Sequence, residues 1–441
     1  VSIDNPSERY PSRARATWSL AVLYIAYVFA FVDRQIIAFL VDPIRKAFAI
    51  SDFQFSLLNG LAFVLFYAVL GIVLGRLADR SNRRRLVAIG VGAWTIMTAL
   101  CGRAGNFAQL FLARLGVGVG EAALAPAAVS LIADLFPRER RGLAINLFAS
   151  GVHGGIGLAN ICGGLIVAAT ASMAAVSVPL LGEVQGWQMA FIAVAAPGIV
   201  VLPLVLTLRE PARHGSAAQL APVSFADTLQ YMRQHGLVYG SLILGTALSA
   251  VGSYGMYGWV PAAFKRNFGW SSAAIGWHLG LLTLIFGTLG LALSGWYASR
   301  TLRAGGPALF SRLMGIAVAL AVIPATLSLW VTTPTGLWVC VAAQIFLLGM
   351  PVGLVQGGLQ AVTPNNRCAQ VIAVYLTVLN MFGMGMGPSA VAYVTDFIFG
   401  NDQSVRYSIG IVIMASATAS ALVLFAGTRA YERLARAQAL A

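Results

Sequence analysis

Charge is scarce in this sequence. Of 441 residues only 10% are Asp, Glu, Lys or Arg, while 59% are hydrophobic and the mean hydropathy is +0.80. No water-soluble domain needs so much apolar surface, which leaves a polytopic membrane protein. The apolar runs are continuous and lack the alternation of a lipid-facing strand, so helices are expected and an outer-membrane barrel is excluded. Cysteine is sparse too. Cys101, Cys162, Cys340 and Cys368 have no ligand spacing and sit in or beside apolar runs, which reads as packing and not as a metal site or a disulfide framework. No nucleotide loop, metal-ligand cluster or nucleophile–base pair is visible, and the glycine runs lack the strand–helix context of a phosphate loop. Neither an enzyme nor a cofactor is expected. Residues 1–16 read as a polar tail and not as a secretory signal.

What is present is a series of long apolar runs. Charged or Pro/Gly-rich breaks divide them into twelve predicted spans, near 17–43, 54–78, 86–103, 107–135, 141–169, 188–208, 236–264, 272–298, 306–328, 335–362, 370–397 and 404–430. The longest polar break, 209–235, contains REPARHGSAAQLAP and reads as a linker between two six-span halves, 17–208 and 236–430, with a second tail at 431–441. The other long break, 170–187, is mostly small and apolar. The expected fold is an all-α membrane protein of two six-helix bundles.

Basic residues set the orientation. With the N-terminus inside, twenty-one arginines fall on cytoplasmic segments against six Arg or Lys outside, and Arg34 and Arg114 remain within spans. Both termini are therefore expected in the cytoplasm. The net charge of +14 is a topology signal and not a nucleic-acid footprint.

The fourth span, NFAQLFLARLGVGVGEAALAPAAVSLIADLF from Asn106 to Phe136, is the stretch to which the others are referred. Its Arg114 and Glu121 are seven residues apart, so they share nearly one helix face about 10 Å apart along the axis. A charge at mid-membrane costs about 2.5–3.5 kcal/mol on insertion scales, and intramembrane ionisable groups are functional candidates for that reason. Asp33 and Arg34 in span one are neighbours whose side chains diverge by about 100°. Each needs its own partner. If spans one, four, seven and ten line a central path, Asp33 comes within reach of Arg114, and the expectation is an Asp33–Arg114 pairing with Glu121 in apolar surroundings. Two carboxylates in different environments are the minimum equipment for proton coupling. A static charge network tying helices together is the alternative reading.

Span two ends in GIVLGRLADRSNRRR, Gly71 to Arg85. Two glycines four apart are expected to press this helix on a neighbour. Asp79 is placed to cap the positive end of a helix starting after Arg367. Gly75, Asp79 and Arg83 thus read as a conformational latch, whereas simple positive-inside anchoring explains only the arginines.

Gly75-x-Leu77-Ala78-Asp79-Arg80-x-x-Arg83-Arg84 resembles the loop 2–3 signature of the major facilitator superfamily, with Asn82 where glycine is usual. Arg114 resembles a second signature of that superfamily. The second-half counterpart, GWYASR from Gly295 to Arg300, places Ser299 where an acid is expected. Gly151, Gly155, Gly157, Gly163 and Gly164 of span five loosely resemble an antiporter signature; tight packing is the plainer reading, as for GMGMGP at Gly383–Pro388. FVDRQIIAFLVDPIRKAF in span one and ARLGVGVGEAALAPAAVSLIADLFPRERRG in span four resemble the Spinster group, which is associated with proton-dependent export of lysophospholipids and sphingosine-phosphate. By that resemblance Asp33, Arg34, Arg114 and Glu121 match buried polar residues of the group.

Spans seven and ten carry no central charge. They offer Tyr254, Tyr257 and Trp259, then Gln344, Gln356 and Gln360, as packing residues or as an apolar-aromatic wall. His153 and His278 read as structural. The expected function is a proton-coupled secondary transporter, working by alternating access on an anionic or zwitterionic amphiphile such as a lysophospholipid or sphingosine-phosphate. Glu121 and Asp33 are its expected proton residues, and Arg34, Arg114, Tyr254 and Tyr257 its substrate residues. A carrier of small organic anions is the second reading. A non-transporting receptor is a third, disfavoured by the lack of a sizeable soluble domain. A monomer in a bacterial inner membrane, without metal, is expected.

Overall fold

Inside lipid every backbone N–H and C=O must be satisfied within its own segment, and long apolar runs therefore become helices. The computed structural model describes residues 10–173, 176–178, 182–213, 223–303 and 309–440. The chain opens with α1 (Arg13–Gln35), a 3-10 turn at Ile36–Phe39 and α2 (Val41–Phe48). Next come α3 (Asp52–Asn59), α4 (Leu61–Arg80) and α5 (Arg83–Cys101). The fourth span is split into α6 (Phe107–Glu121) and α7 (Leu124–Leu135), and the fifth is the unbroken α8 (Arg138–Ala171). The break expected at 170–187 holds a short antiparallel hairpin, β1 (Val176–Val178) with β2 (Gly182–Val184), in which Ser177 faces Glu183. The sixth span is α9 (Gly186–Ala195) with α10 (Gly198–Leu206).

The expected linker contains a helix of its own, α11 (Phe225–Gln234). Beyond it lie α12 (Gly236–Phe268), α13 (Ser272–Leu282), α14 (Thr288–Arg303), α15 (Leu309–Trp330) and α16 (Pro334–Val362). Last come α17 (Asn365–Asn380), α18 (Gly387–Tyr393) and α19 (Val405–Leu440). Among the described residues three stretches widen to π-helix: Thr283–Gly287, Met381–Met386 and Val394–Phe399. Among the described residues eleven helices are long and apolar enough to cross a membrane, and a pair bent by 117° around residues 48–52 brings the number up to twelve. Large apolar side chains point outward all along them. Ile89 is 70% exposed, Leu143 75% and Trp330 79%, which suits hydrocarbon and not water.

Helix ends follow local chemistry. Ser51 and Gln54 form a capping box on α3, Asn82 caps α5 by accepting from the Arg85 N–H, and Asn106 caps α6 through Gln109. Asn82 therefore has a cap's role at the position where the signature usually has glycine. Thr333 caps α16 with Pro334 in its first turn, and α12 stops at Gly269 with φ +66°.

The chain divides into two compact units. The first comprises Val1–Phe48, Ala62–Ala217 and Ser272–Gly280. In it α1 packs along α8 and α5 along α6. A Cβ on Gly155 would lie 2.6 Å from the Phe31 ring, and one on Gly164 would meet the backbone of Ser272 and Gly276. These span-five glycines serve close packing, since α8 passes through them without a break. The second unit comprises Ala49–Leu61, Ala218–Ser271 and Leu281–Ala441. In it α12 lies along α19, around a core that includes Leu242, Phe310, Met314, Leu359 and Tyr431. Here α3 docks on α18, with Ser56 Oγ 3.0 Å from Ser389 Oγ and Gly60 against the Met384 carbonyl. Two short segments thus depart from the sequence halves 17–208 and 236–430. Their glycines are buried against backbone of helices from the other half, a pairing that composition does not encode.

Candidate functional site

The site is in the first unit, where α6 is interrupted. Pro126 has no N–H to offer the Ala122 carbonyl one turn back, and its ring crowds that carbonyl. The chain accordingly leaves the helix at Ala122–Ala123 and re-enters it as α7. Glu121, the last residue of α6, is left at the break. Glycines bring the neighbouring helices close to it. A Cβ on Gly120 would lie 2.7 Å from the Trp94 nitrogen of α5, and one on Gly118 would collide with the Phe63 carbonyl of α4.

Four ionisable side chains meet there. Arg34 Nη2 donates to Glu121 Oε2 at 2.5 Å, a salt bridge in which Glu121 is 2% exposed. Arg114, 1% exposed, donates through Nη1 to the Asp33 main-chain carbonyl at 3.1 Å. Its Nε and Nη2, together with Glu121 Oε1, have no hydrogen-bond partner among the described residues. Asp33, 4% exposed, stands in the field of Glu121, Arg114 and Arg34. Aromatic rings surround the Arg34 guanidinium: Phe63 at 4.5 Å, Phe31 at 4.9 Å and Tyr67 at 5.1 Å. The Phe63 ring also lies 5.7 Å from Arg114. Removing one partner of a buried pair leaves an uncompensated charge, which is strongly destabilising.

The four residues expected from sequence are thus together, but the pairing differs. Among the described residues no salt bridge joins Asp33 to Arg114; Arg34 takes Glu121, and Arg114 reaches only the Asp33 backbone. The cause is local. Because α1 ends at Gln35, Arg34 is in its last turn and the divergence of adjacent side chains turns it, not Asp33, toward Glu121.

The latch residues also differ from expectation. Gly71 has nothing within 4 Å of a built Cβ, and Gly75 has only Pro126 at an ordinary 3.7 Å, so this glycine pair presses on no neighbour. The close approach of α4 is at Phe63 instead. Arg83 is fully buried inside the first unit. It is salt-bridged to Asp134, reaches Glu210 at 2.6 Å, and donates to the Ser130 carbonyl at 3.1 Å. Glu210 also accepts from the Arg84 N–H at 3.0 Å, so this arginine turn ties α5 to α7 and to the start of the interhelical stretch. The side chains of Asp79 and Ser299 lie outside the described residues.

In the second unit Tyr254 and Tyr257 are half-buried on α12. Tyr257 Oη is 3.2 Å from Thr283 Oγ1, and a Cβ on Gly383 would lie 2.6 Å from the Tyr254 ring. Trp259 donates to the Pro388 carbonyl at 2.8 Å, and His278 bonds the Ala274 carbonyl of its own helix, both structural roles. Gln344 is buried, whereas Gln356 and Gln360 are exposed. Sequence reasoning overlooked one cluster here. Asp52, Asp396 and Asp402 bring carboxylate oxygens within 4.8 Å of one another. Arg266 meets Asp52 at 2.6 and 2.8 Å, and the Phe53 N–H at the start of α3 donates to Asp396 at 2.7 Å. The capping box after Ile50 was the legible signal for that helix start; its partners were not.

Long apolar helices around a buried charge cluster are the architecture of a membrane transporter. Residues 23–388 match the Major Facilitator Superfamily, and the chain belongs to that family. It is 28% identical over 442 residues to the "MFS-type efflux pump" of Mycolicibacterium smegmatis, covering 98% of this chain and 97% of that one. It is 30% identical over 319 residues to human "Protein spinster homolog 1", spanning 67% of this chain and 57% of the human protein. To the "Sphingosine-1-phosphate transporter SPNS2" of Xenopus tropicalis it is 24% identical, over 90% of this chain and 77% of that one. Among solved structures it is similar to a bacterial homologue of the human lysosomal transporter Spinster, in an inward-facing and unoccupied conformation. That likeness has a TM-score of 0.81 at 25% identity, over 97% of this chain and 98% of the other.

Proposed function

We propose that this chain is a proton-coupled secondary transporter of an anionic or zwitterionic amphiphile, such as a lysophospholipid or sphingosine-phosphate, in a bacterial inner membrane. The observation that carries the reading is Arg114. Its buried guanidinium keeps Nε and Nη2 without partners among the described residues, and that edge suits a carboxylate or phosphate bidentately. Asp33, Arg34, Arg114 and Glu121 sum to zero charge when all are ionised. An anion alone or a proton alone leaves the buried cluster charged, which is costly. A singly charged anionic headgroup and a proton together restore neutrality, so for such a substrate the cluster couples the two. Glu121 is the proton carrier in this reading, and Arg114 meets the headgroup. The relative named for sphingosine-1-phosphate transport supports a lipid substrate. Alternating access between the halves follows the behaviour of such carriers.

Small organic anions are the second reading, favoured by the same free guanidinium edge, which does not require an acyl tail. Proteoliposomes decide between them. With an imposed pH gradient, labelled lysophosphatidylglycerol is expected to accumulate and small sugar acids are not. Accumulation of the sugar acid alone would replace the lipid with the second reading, and no pH-driven flux of either would remove proton coupling.

A further inference from the structure

Phe63 presents its ring to both arginines of the charge cluster. It is fully buried, stacks on Tyr67 with ring centroids 5.2 Å apart, and presents its ring to Arg34 at 4.5 Å and to Arg114 at 5.7 Å. Its main chain is held by Gly118, where any Cβ would strike the Phe63 carbonyl. The ring is thereby fixed beside two like charges that belong to different helices.

We infer that Phe63 is a positioning residue that holds the Arg34 guanidinium in place while Glu121 gives up its charge. A ring face attracts a guanidinium more strongly once the facing carboxylate is neutral, because a charged carboxylate offsets the guanidinium's field at the ring. Phe63 therefore stabilises the state with neutral Glu121 more than the state with the Arg34–Glu121 salt bridge. Phe31 and Tyr67 complete the cage on the other sides of Arg34. The remaining groups around the cluster are Asp33 on α1, Cys101 on α5 and Arg114 on α6. With the cage in place Arg34 does not swing toward Asp33 when Glu121 is protonated, and the cluster keeps one geometry through the proton cycle.

The transport consequence rests on the proton-coupled reading, but the test does not. Purified full-length protein in nanodiscs, without ligand, is titrated by infrared spectroscopy. The protonated-carboxyl band of Glu121 is assigned by its loss in Glu121→Gln. Phe63→Leu is expected to move the band's midpoint to lower pH by about one unit, the scale of a desolvated cation–π contact. Phe63→Met, an unbranched filler of the same space, is expected to do the same if the leucine variant misfolds. Phe63→Tyr keeps the ring face and is expected to hold the wild-type midpoint. An unmoved midpoint in the leucine or methionine variant, or an equal shift in the tyrosine variant, overturns the inference. Failure of the proton-coupled reading looks different: wild-type vesicles would move no protons with substrate, whatever the infrared midpoint.

Discussion

Glu121 and Arg114 differ in what their removal does. Glu121→Gln keeps the side chain's shape and mimics its protonated form. It is expected to abolish accumulation driven by a pH gradient while sparing substrate exchange across the vesicle membrane. Arg114→Ala removes the guanidinium edge proposed to meet the headgroup, and binding measured by calorimetry is expected to fall more than tenfold, as for loss of a charge-assisted hydrogen bond worth about 1.5–3 kcal/mol. If Glu121→Gln still concentrates substrate in response to pH, Asp33 becomes the proton residue. Tyr254→Ala and Tyr257→Ala test the proposed apolar wall by another route. Each buried CH₂ contributes roughly 0.8 kcal/mol, so either change is expected to flatten the dependence of affinity on acyl-chain length. Equal losses for short and long chains would count against a tail site. At this scale the sequence was legible in identity and illegible in pairing. Four charged residues in apolar spans mark themselves. That Arg34 takes Glu121, and Arg114 only the Asp33 carbonyl, depends on where α1 and α6 stop.

The helices show the same division. Span positions follow from hydropathy, and the caps at Ser51, Asn82 and Asn106 emerge only with the structure. Which glycines matter does not follow from the sequence, because spacing is blind to what lies opposite. Among the described residues Gly71 meets nothing and Gly75 only Pro126 at an ordinary contact, while Gly118 and Gly120 meet backbone on two sides. Gly120→Ala is therefore expected to cost about 1–3 kcal/mol through overpacking and to lower the melting temperature in detergent. Gly71→Ala is expected to leave it unchanged or slightly raised, since alanine is the better helix former. Equal melting temperatures for the two variants would show that α5 can yield around Gly120. Pro126 was visible in the sequence, but its effect, leaving Glu121 at a break, needs the register of the whole span.

For the molecule as a whole, the asymmetry of basic residues is the argument for a cytoplasmic C-terminus, and a fusion experiment tests it. A green fluorescent protein fused after residue 441 is expected to fluoresce in bacterial cells, and alkaline phosphatase fused there is expected to be inactive. The reverse pattern would overturn the cytoplasmic placement of the C-terminus. The division into units was legible only in part. The polar break at 209–235 was the expected boundary between halves, and that Ala49–Leu61 and Ser272–Gly280 join the units they do rests on surface fit between distant segments.

The wide turns of the later spans have a consequence for chain length. A π turn closes its hydrogen bonds one residue farther along than an α turn, so it holds roughly one residue more. Deleting a residue there lets the segment tighten to α-helix while both flanks keep their facing. The same deletion in a regular stretch rotates everything downstream by about 100°. Loss of Gly385, inside Met381–Met386, is therefore expected to leave a monodisperse folded protein on gel filtration. Loss of Val374, within α17, is expected to abolish it. The three π stretches at Thr283–Gly287, Met381–Met386 and Val394–Phe399 would then be the places where these spans can shorten without being rebuilt.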